Sequence, residues 1–298
     1  MAGNIQNKEI TALLRLIDDP DDEVFDTVAD KILNYGRSII PNLEQLWEVT
    51  ADEAVQERIE SLIHRVHFQD LQAEFLEWSH SKHPEILRGA ILIAKYQFPD
   101  LNVPAILTQF DQMRRNVWLE MNNYLTPLEQ INVFNSILYN YYKLQGHELT
   151  ERDPKYFFIN QVLDSKQGNA YSIGILYLAV CELLDVPVFA VNIPRQFVFA
   201  YIDTLHHFFS TEGVQQLQFF IDPTNGMVYT QKDVDAYLRK INATDKEDYF
   251  TPLDSKKVIF KMLEELSLCY RYRREEQKAE EILELMRLLV NIDEQGEA

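Results

Sequence analysis

Apolar residues recur at helical spacing through the first third of the chain. Val24, Val28 and Ile32 form an i, i+4, i+8 stripe. The same stripe returns 31 residues later as Val55, Ile59 and Ile63, and again as Ile86, Ala90 and Ala94. Each follows a turn or capping cluster: Asp18-Asp19-Pro20-Asp21, Thr50-Ala51-Asp52 and Ser81-Lys82-His83-Pro84. Between the first two stripes, Gly36-Arg37-Ser38-Ile39-Ile40-Pro41 ends one helix and starts the next. Thr126, Pro127 and Glu129 predict a capped helix from 127 through Ile131, Phe134 and Ile137 to Gly146, and Phe157 to Leu163 a shorter one. Residues 170–184 are apolar nearly all round, which predicts a buried central helix. Three β-rich runs follow, 188–192, 197–202 and 217–221; their short and medium connections predict an antiparallel sheet. From Lys256 the chain reads as two more helices, one holding Leu263, Leu266, Cys269 and Tyr270, the other Ala279, Ile282, Met286 and Leu289.

Charge narrows the set of partners. The 298 residues carry 47 acidic and 28 basic side chains, a net charge of −19. Such a chain repels phosphate backbones and anionic lipid, so neither nucleic acid nor a membrane is an expected partner. No apolar run reaches the ~18–20 residues of a membrane span. Met1-Ala2-Gly3-Asn4-Ile5 lacks the charged and apolar regions of a signal peptide. Cys181 and Cys269 are the only cysteines, too few for a disulfide framework or a four-cysteine zinc site. A reducing cytoplasm is the expected location. Nine glycines are few against a usual ~7%, which argues against phosphate-cradling loops.

Four stretches occur in a set order: Gly168-Asn169-Ala170-Tyr171-Ser172, Leu184-Asp185-Val186-Pro187-Val188, Asn192-Ile193-Pro194-Arg195-Gln196-Phe197-Val198 and Phe220-Ile221-Asp222-Pro223-Thr224-Asn225-Gly226. With them, about residues 120–290 of this sequence resemble the transglutaminase-like superfamily, specifically its SirB-type subgroup. The repeated stripes before it resemble HEAT repeats, although an irregular helical bundle leaves a similar pattern. Residues 266–283 resemble one tetratricopeptide-type repeat, which packs on a core because one unit cannot stand alone. The expected architecture is a helix-rich α+β chain in three parts: a HEAT-like helical domain (1–115), a papain/transglutaminase-like core with an antiparallel sheet (116–250), and a C-terminal helical pair (251–298).

The resemblance implies a nucleophilic Cys opening the central helix, a His on the second strand and an Asp on the third. A helix N-terminus favours a thiolate, the imidazole takes its proton, and the carboxylate orients the imidazole. Carried onto this sequence, those positions fall on Ala170, Gln196 and Asp222. Alanine has no nucleophile and a glutamine amide does not shuttle protons at neutral pH. The triad is degenerate, and no catalytic residue is expected. Gln196 is expected to hydrogen-bond through its amide, with Asp222 as a candidate partner. Asp222 itself reads first as a turn-initiating Asp before Pro. Asn169, Tyr171, Ser172, Arg195, His206, His207 and Asn225 complete the candidate cleft.

Other chemistries fit less well. Ala170-Tyr171-Ser172-Ile173-Gly174 approaches the G-x-S-x-G elbow, which needs a strand before the Ser. Residues 164–168 are polar and carry no strand signal, so Ser172 is expected to bond local backbone. Cys181 and Cys269 read as small buried hydrophobes. His64/His67 and His80/His83 have zinc-compatible spacing, but the first pair falls where a helix meets a turn and neither has a third ligand pattern. The acidic run 18–23 lacks the Gly of a calcium loop and reads as a helix cap. Neither metal nor cofactor is expected. The expected function is a non-catalytic transglutaminase-like module that binds a protein or peptide. The alternative is a hydrolase or amide-bond enzyme using other residues of the same cleft.

Overall fold

Asp21 caps the first complete helix: its carboxylate accepts the Glu23 N–H at 2.9 Å, as the acidic cluster predicted. That helix, α1 (Asp22–Leu33), is followed by Gly36, whose φ of +57° lets the chain turn without steric cost. Pro41 then sits in the first turn of α2 (Ile40–Val49). The computed structural model describes residues 9–203, 216–243 and 247–293. Contacts divide the chain into two compact units, one ending at Leu76 and one beginning at Glu77.

The first unit is helical. α3 (Glu53–His80) is a single 28-residue helix, so His64 and His67 lie in mid-helix and not at the helix–turn junction expected for them. Continuous i→i+4 bonding runs through the stretch that holds them. The repeating stripes are packing surfaces: Val28, Ile32 and Ile59 are buried, and Val24, Val55 and Ile63 are packed on the same cluster.

The second unit is built around α8 (Ala170–Leu183), as the all-round apolar pattern required. The helices before it are α4 (Ile86–Gln97), α5 (Val103–Glu120), α6 (Pro127–Asn135) and α7 (Ile159–Ser165). Thr126 and Glu129 form a reciprocal capping box at the start of α6, as predicted. Its continuation departs from prediction. Residues 136–141 wind as a π-helix, Lys143 takes a positive φ of 59°, and Gly146 lies in a strand instead of ending a helix. That strand, β1 (Gln145–His147), pairs in parallel with β2 (Gln167–Asn169), so a short strand does precede α8 where none was expected. Local composition could not signal it, because the strand exists only through pairing with residues 22 positions away.

After α8 the chain forms β3 (Val188–Val191), β4 (Val198–Asp203), β5 (Gln216–Ile221) and β6 (Val228–Tyr229), an antiparallel sheet in that order. Side chains alternate across it. Phe199 faces α8, where Tyr177 lies 5.5 Å away ring to ring. Ala200 and Ile202 face the opposite way, into a cluster with Val234 and Leu238 of α9 (Gln231–Lys240). Fully burying a side chain such as Phe199 contributes about 1.5–3 kcal/mol. The chain closes with α10 (Ser255–Tyr272) and α11 (Glu276–Asp293). They pack on the core through buried Ile259, Leu263 and Leu266, and Tyr96 of α4 donates to Glu281 of α11 at 2.6 Å. Among the described residues, no helix is long and apolar enough to cross a membrane.

Candidate functional site

Ala170 is the first residue of α8, and Asn169 is its N-cap. The Asn169 Oδ1 accepts the N–H groups of Tyr171 and Ser172, both at 3.0 Å. The Ser172 hydroxyl completes the box: it accepts the Asn169 N–H at 3.0 Å and donates to the Tyr156 carbonyl at 2.6 Å. Two of the donors that a helix N-terminus can offer to an anion are thereby consumed. Ser172 is fully buried and doubly engaged, so the strand–turn–helix geometry around it does not present a nucleophile.

Gln196 ends a turn in which its N–H donates to the Ile193 carbonyl at 3.2 Å. Pro194 precedes Arg195, whose φ is +61°, the conformation that a glycine adopts at lower cost at this turn position. The side chains of Arg195 and Gln196 are exposed. The next residue, Phe197, stacks on Tyr171 at 4.4 Å between ring centroids. That stack brings the Gln196 turn beside the first turn of α8.

Asp222 follows β5, and its carboxylate serves its own turn. Oδ1 accepts the Thr224 N–H at 2.8 Å and the Thr224 hydroxyl at 2.6 Å. Oδ2 accepts from the Asn225 amide at 3.2 Å. The hydrogen bond expected between Gln196 and Asp222 is not formed; the carboxylate bonds the local partners of its own Asx turn instead. The turn is locked from α6 and the π-helix: Asn135 donates to the Gly226 carbonyl and Tyr139 to the Pro223 carbonyl, both at 2.7 Å. Gly174 of α8 packs so closely on Phe197, Phe199 and Pro223 that a Cβ there would lie 2.7 Å from the Phe197 ring. The turns bearing Gln196 and Asp222 therefore both rest on the N-terminal half of α8.

His147 was not singled out in the sequence. It lies in β1, in register with Asn169, and its ring stacks on Tyr156 at 4.3 Å. Nothing local marks it, since Gln145-Gly146-His147 reads as a helix tail. Asn135 and Tyr139 were missed as well; their role depends on partners 91 and 84 residues away. Burial raises the phenols of Tyr139, Tyr171 and Tyr177, so they stay protonated at neutral pH. His206 and His207 lie outside the described residues. Among the described residues, no group of three His, Cys, Asp or Glu side chains is placed to hold a metal ion.

The cysteines lie elsewhere. Cys181 is fully buried on α8, and burial pushes its thiol well above the usual range. Cys269 is 3% exposed, with its thiol pushed up to about 11 by burial. Neither is expected to react with maleimide in the native state near neutral pH, and labelling should follow unfolding. Mass spectrometry of labelled protein checks this; rapid native-state labelling that rises with pH would revive a cysteine mechanism.

Comparison with known proteins locates this site inside a family. Residues 104–264 match the transglutaminase-like superfamily. A UPF0162 protein of Buchnera aphidicola (subspecies Acyrthosiphon pisum) is 28% identical over 139 residues, 46% of this chain and 47% of the relative. A UPF0162 protein of Xylella fastidiosa is 26% identical over 116 residues, 38% of this chain and 40% of the relative. The UPF0162 protein YchA of Escherichia coli K12 is 26% identical over 163 residues, 53% of this chain and 57% of the relative. The chain spans about half the length of the curated relatives it matches. No solved structure matches it.

Proposed function

The chain belongs to the transglutaminase-like superfamily, and from that membership we propose that it is a non-catalytic member, of the SirB-type subgroup, whose core binds a protein or peptide. One observation carries this reading: the residue opening α8 is Ala170, a methyl group where the thiol chemistry of the superfamily needs a nucleophile. The neighbouring positions support it. Gln196 supplies an amide and no base, and the Asp222 carboxylate is occupied by Thr224 and Asn225. What this end of the core offers is surface. Arg195, Gln196, Asn225 and Met227 are exposed on the two turns that rest on α8.

Two measurements test the reading. Purified protein is expected to release no ammonia from a glutamine-containing peptide and to incorporate no amine into casein; sustained turnover in either assay would overturn the non-catalytic assignment. Affinity capture from the native cytoplasm is expected to retain at least one protein on the wild type that is lost on the Arg195→Glu, Gln196→Glu variant. Identical captures by both would remove this face as the binding surface.

A further inference from the structure

A groove of about 580 Å³ opens at the C-terminal end of α8, a volume within the range of small-molecule sites. All of its lining lies in the unit beginning at Glu77. Its apolar side comes from Leu178 of α8, Ile86 of α4 and Val258 of α10, each a buried residue. β3 runs along the groove but offers no free edge. Residues 252–253 cover it, through the Val191–Pro252 bridge and the Leu253 N–H on the Ala190 carbonyl at 2.8 Å. The Val188 N–H is spent on the Val186 carbonyl at 2.8 Å. What the groove presents to a ligand is therefore its side chains.

Those side chains carry uncompensated negative charge. Glu182, Asp185 and Asp254 line the groove, against Lys82 and His83. Two of the carboxylates are held by backbone. Glu182 accepts the Ile86 N–H at the start of α4, where the N-cap residue Glu85 makes no side-chain bond. Asp254 caps α10 and accepts the Lys257 N–H at 2.8 Å. Among the described residues none of the three carboxylates forms an ion pair, not even with Lys82 or His83. The C-terminus of the 14-residue α8 adds the negative end of its macrodipole. A positive charge is therefore favoured here, beside an apolar wall.

We infer that this groove binds a small organic cation, an ammonium group carried on an apolar body. The ammonium pairs with Glu182 and Asp185 at the end of α8, and the body lies on Leu178, Ile86 and Val258. Apolar contact supplies the burial and the carboxylates select the charge. The net charge of −19 draws such cations toward the chain. The site lies at the opposite end of α8 from Ala170 and does not rest on the function proposed for that end.

The probe is phenethylamine, titrated into the full chain and followed by NMR of isotope-labelled Leu, Ile and Val methyl groups. Saturable shifts are expected at the methyls of Leu178, Ile86 and Val258. Phenethyl alcohol keeps the apolar body and removes the charge. It should bind about tenfold more weakly, the worth of three exposed charge contacts. Phenylpropionate reverses the charge and should bind more weakly still. The double variant Glu182→Gln, Asp185→Asn keeps the side-chain shapes, and Asn tolerates the positive φ of 53° at position 185. It should bind the amine about fivefold more weakly, as expected for two lost charge contacts, and the alcohol as the wild type does. No saturable shift of these methyls by the amine would overturn the site. Equal wild-type affinity for amine and alcohol would overturn the charge selection, and that comparison needs no variant. An unchanged amine affinity in the double variant would overturn the pairing with Glu182 and Asp185.

Discussion

Gly226→Ala is expected to destabilise the unit beginning at Glu77 by about 3 kcal/mol, the sum of a left-handed backbone term and an overpacking term. Gly226 holds a φ of +75°, where an L side chain is strained. An added Cβ would lie 2.5 Å from Asn135 Cγ and Oδ1 and 2.7 Å from the Tyr139 ring. Neither neighbour can yield cheaply. Asn135 donates to the Gly226 carbonyl and Tyr139 to the Pro223 carbonyl, so moving them unlocks the Asp222 turn. Gly36→Ala isolates the backbone term: φ is +57° there, but nothing lies within 4 Å of a new Cβ. It should cost about 1 kcal/mol in its own unit. Native-state hydrogen exchange separates the two, with the Leu176 amide reporting the second unit and the Ile32 amide the first. Equal losses for both variants would mean that the contacts of Gly226 are soft.

The second expected result concerns the N-terminus of α8. Ala170→Cys places a thiol at the N-terminus of a 14-residue helix. The macrodipole should hold its pKa below the free value of ~8.5. Asn169 already takes the N–H groups of Tyr171 and Ser172, so the depression from the helix alone is small. Adding Gln196→His supplies an imidazole on the turn that the Phe197–Tyr171 stack holds beside this helix turn. An imidazolium–thiolate pair should lower the apparent thiol pKa by about one further unit. Iodoacetamide alkylation measured across pH reads the shift, with the midpoint of the double variant below that of Ala170→Cys. Buried Cys181 and Cys269 give little background. Coincident profiles for the two variants would mean that positions 170 and 196 do not converge. Hydrolysis should remain slow in either, because the Asp222 carboxylate stays engaged with Thr224 and an oxyanion site must also exist.

Much of the fold is legible in the sequence. The capping box of Thr126 and Glu129, the all-round apolar helix from Ala170 and the three long strands were read from local patterns and are observed. The turn role of Asp222 was legible in Asp-Pro-Thr-Asn-Gly. The failures share a cause. Residues 136–146 continue a helical apolar period, yet the segment winds as a π-helix and then enters a parallel strand pair. His64 and His67, expected where a helix meets a turn, lie in the middle of a long helix.

What the sequence alone determined is what short-range physics controls: the helices and strands with a strong local period, which of their faces are apolar, where caps and turns fall, and that an alanine and a glutamine stand at positions 170 and 196. Those properties follow from side-chain period, caps and side-chain chemistry, all set within a few residues. Tertiary structure alone decided where hydrogen-bonding capacity was spent. The Asp222 turn is fastened by Asn135 and Tyr139, 91 and 84 residues away from their acceptors. The outer edge of β3 is covered by residues 252–253, some 60 positions further along the chain. Such pairings depend on which distant segments meet in the folded core, and no local pattern encodes that meeting.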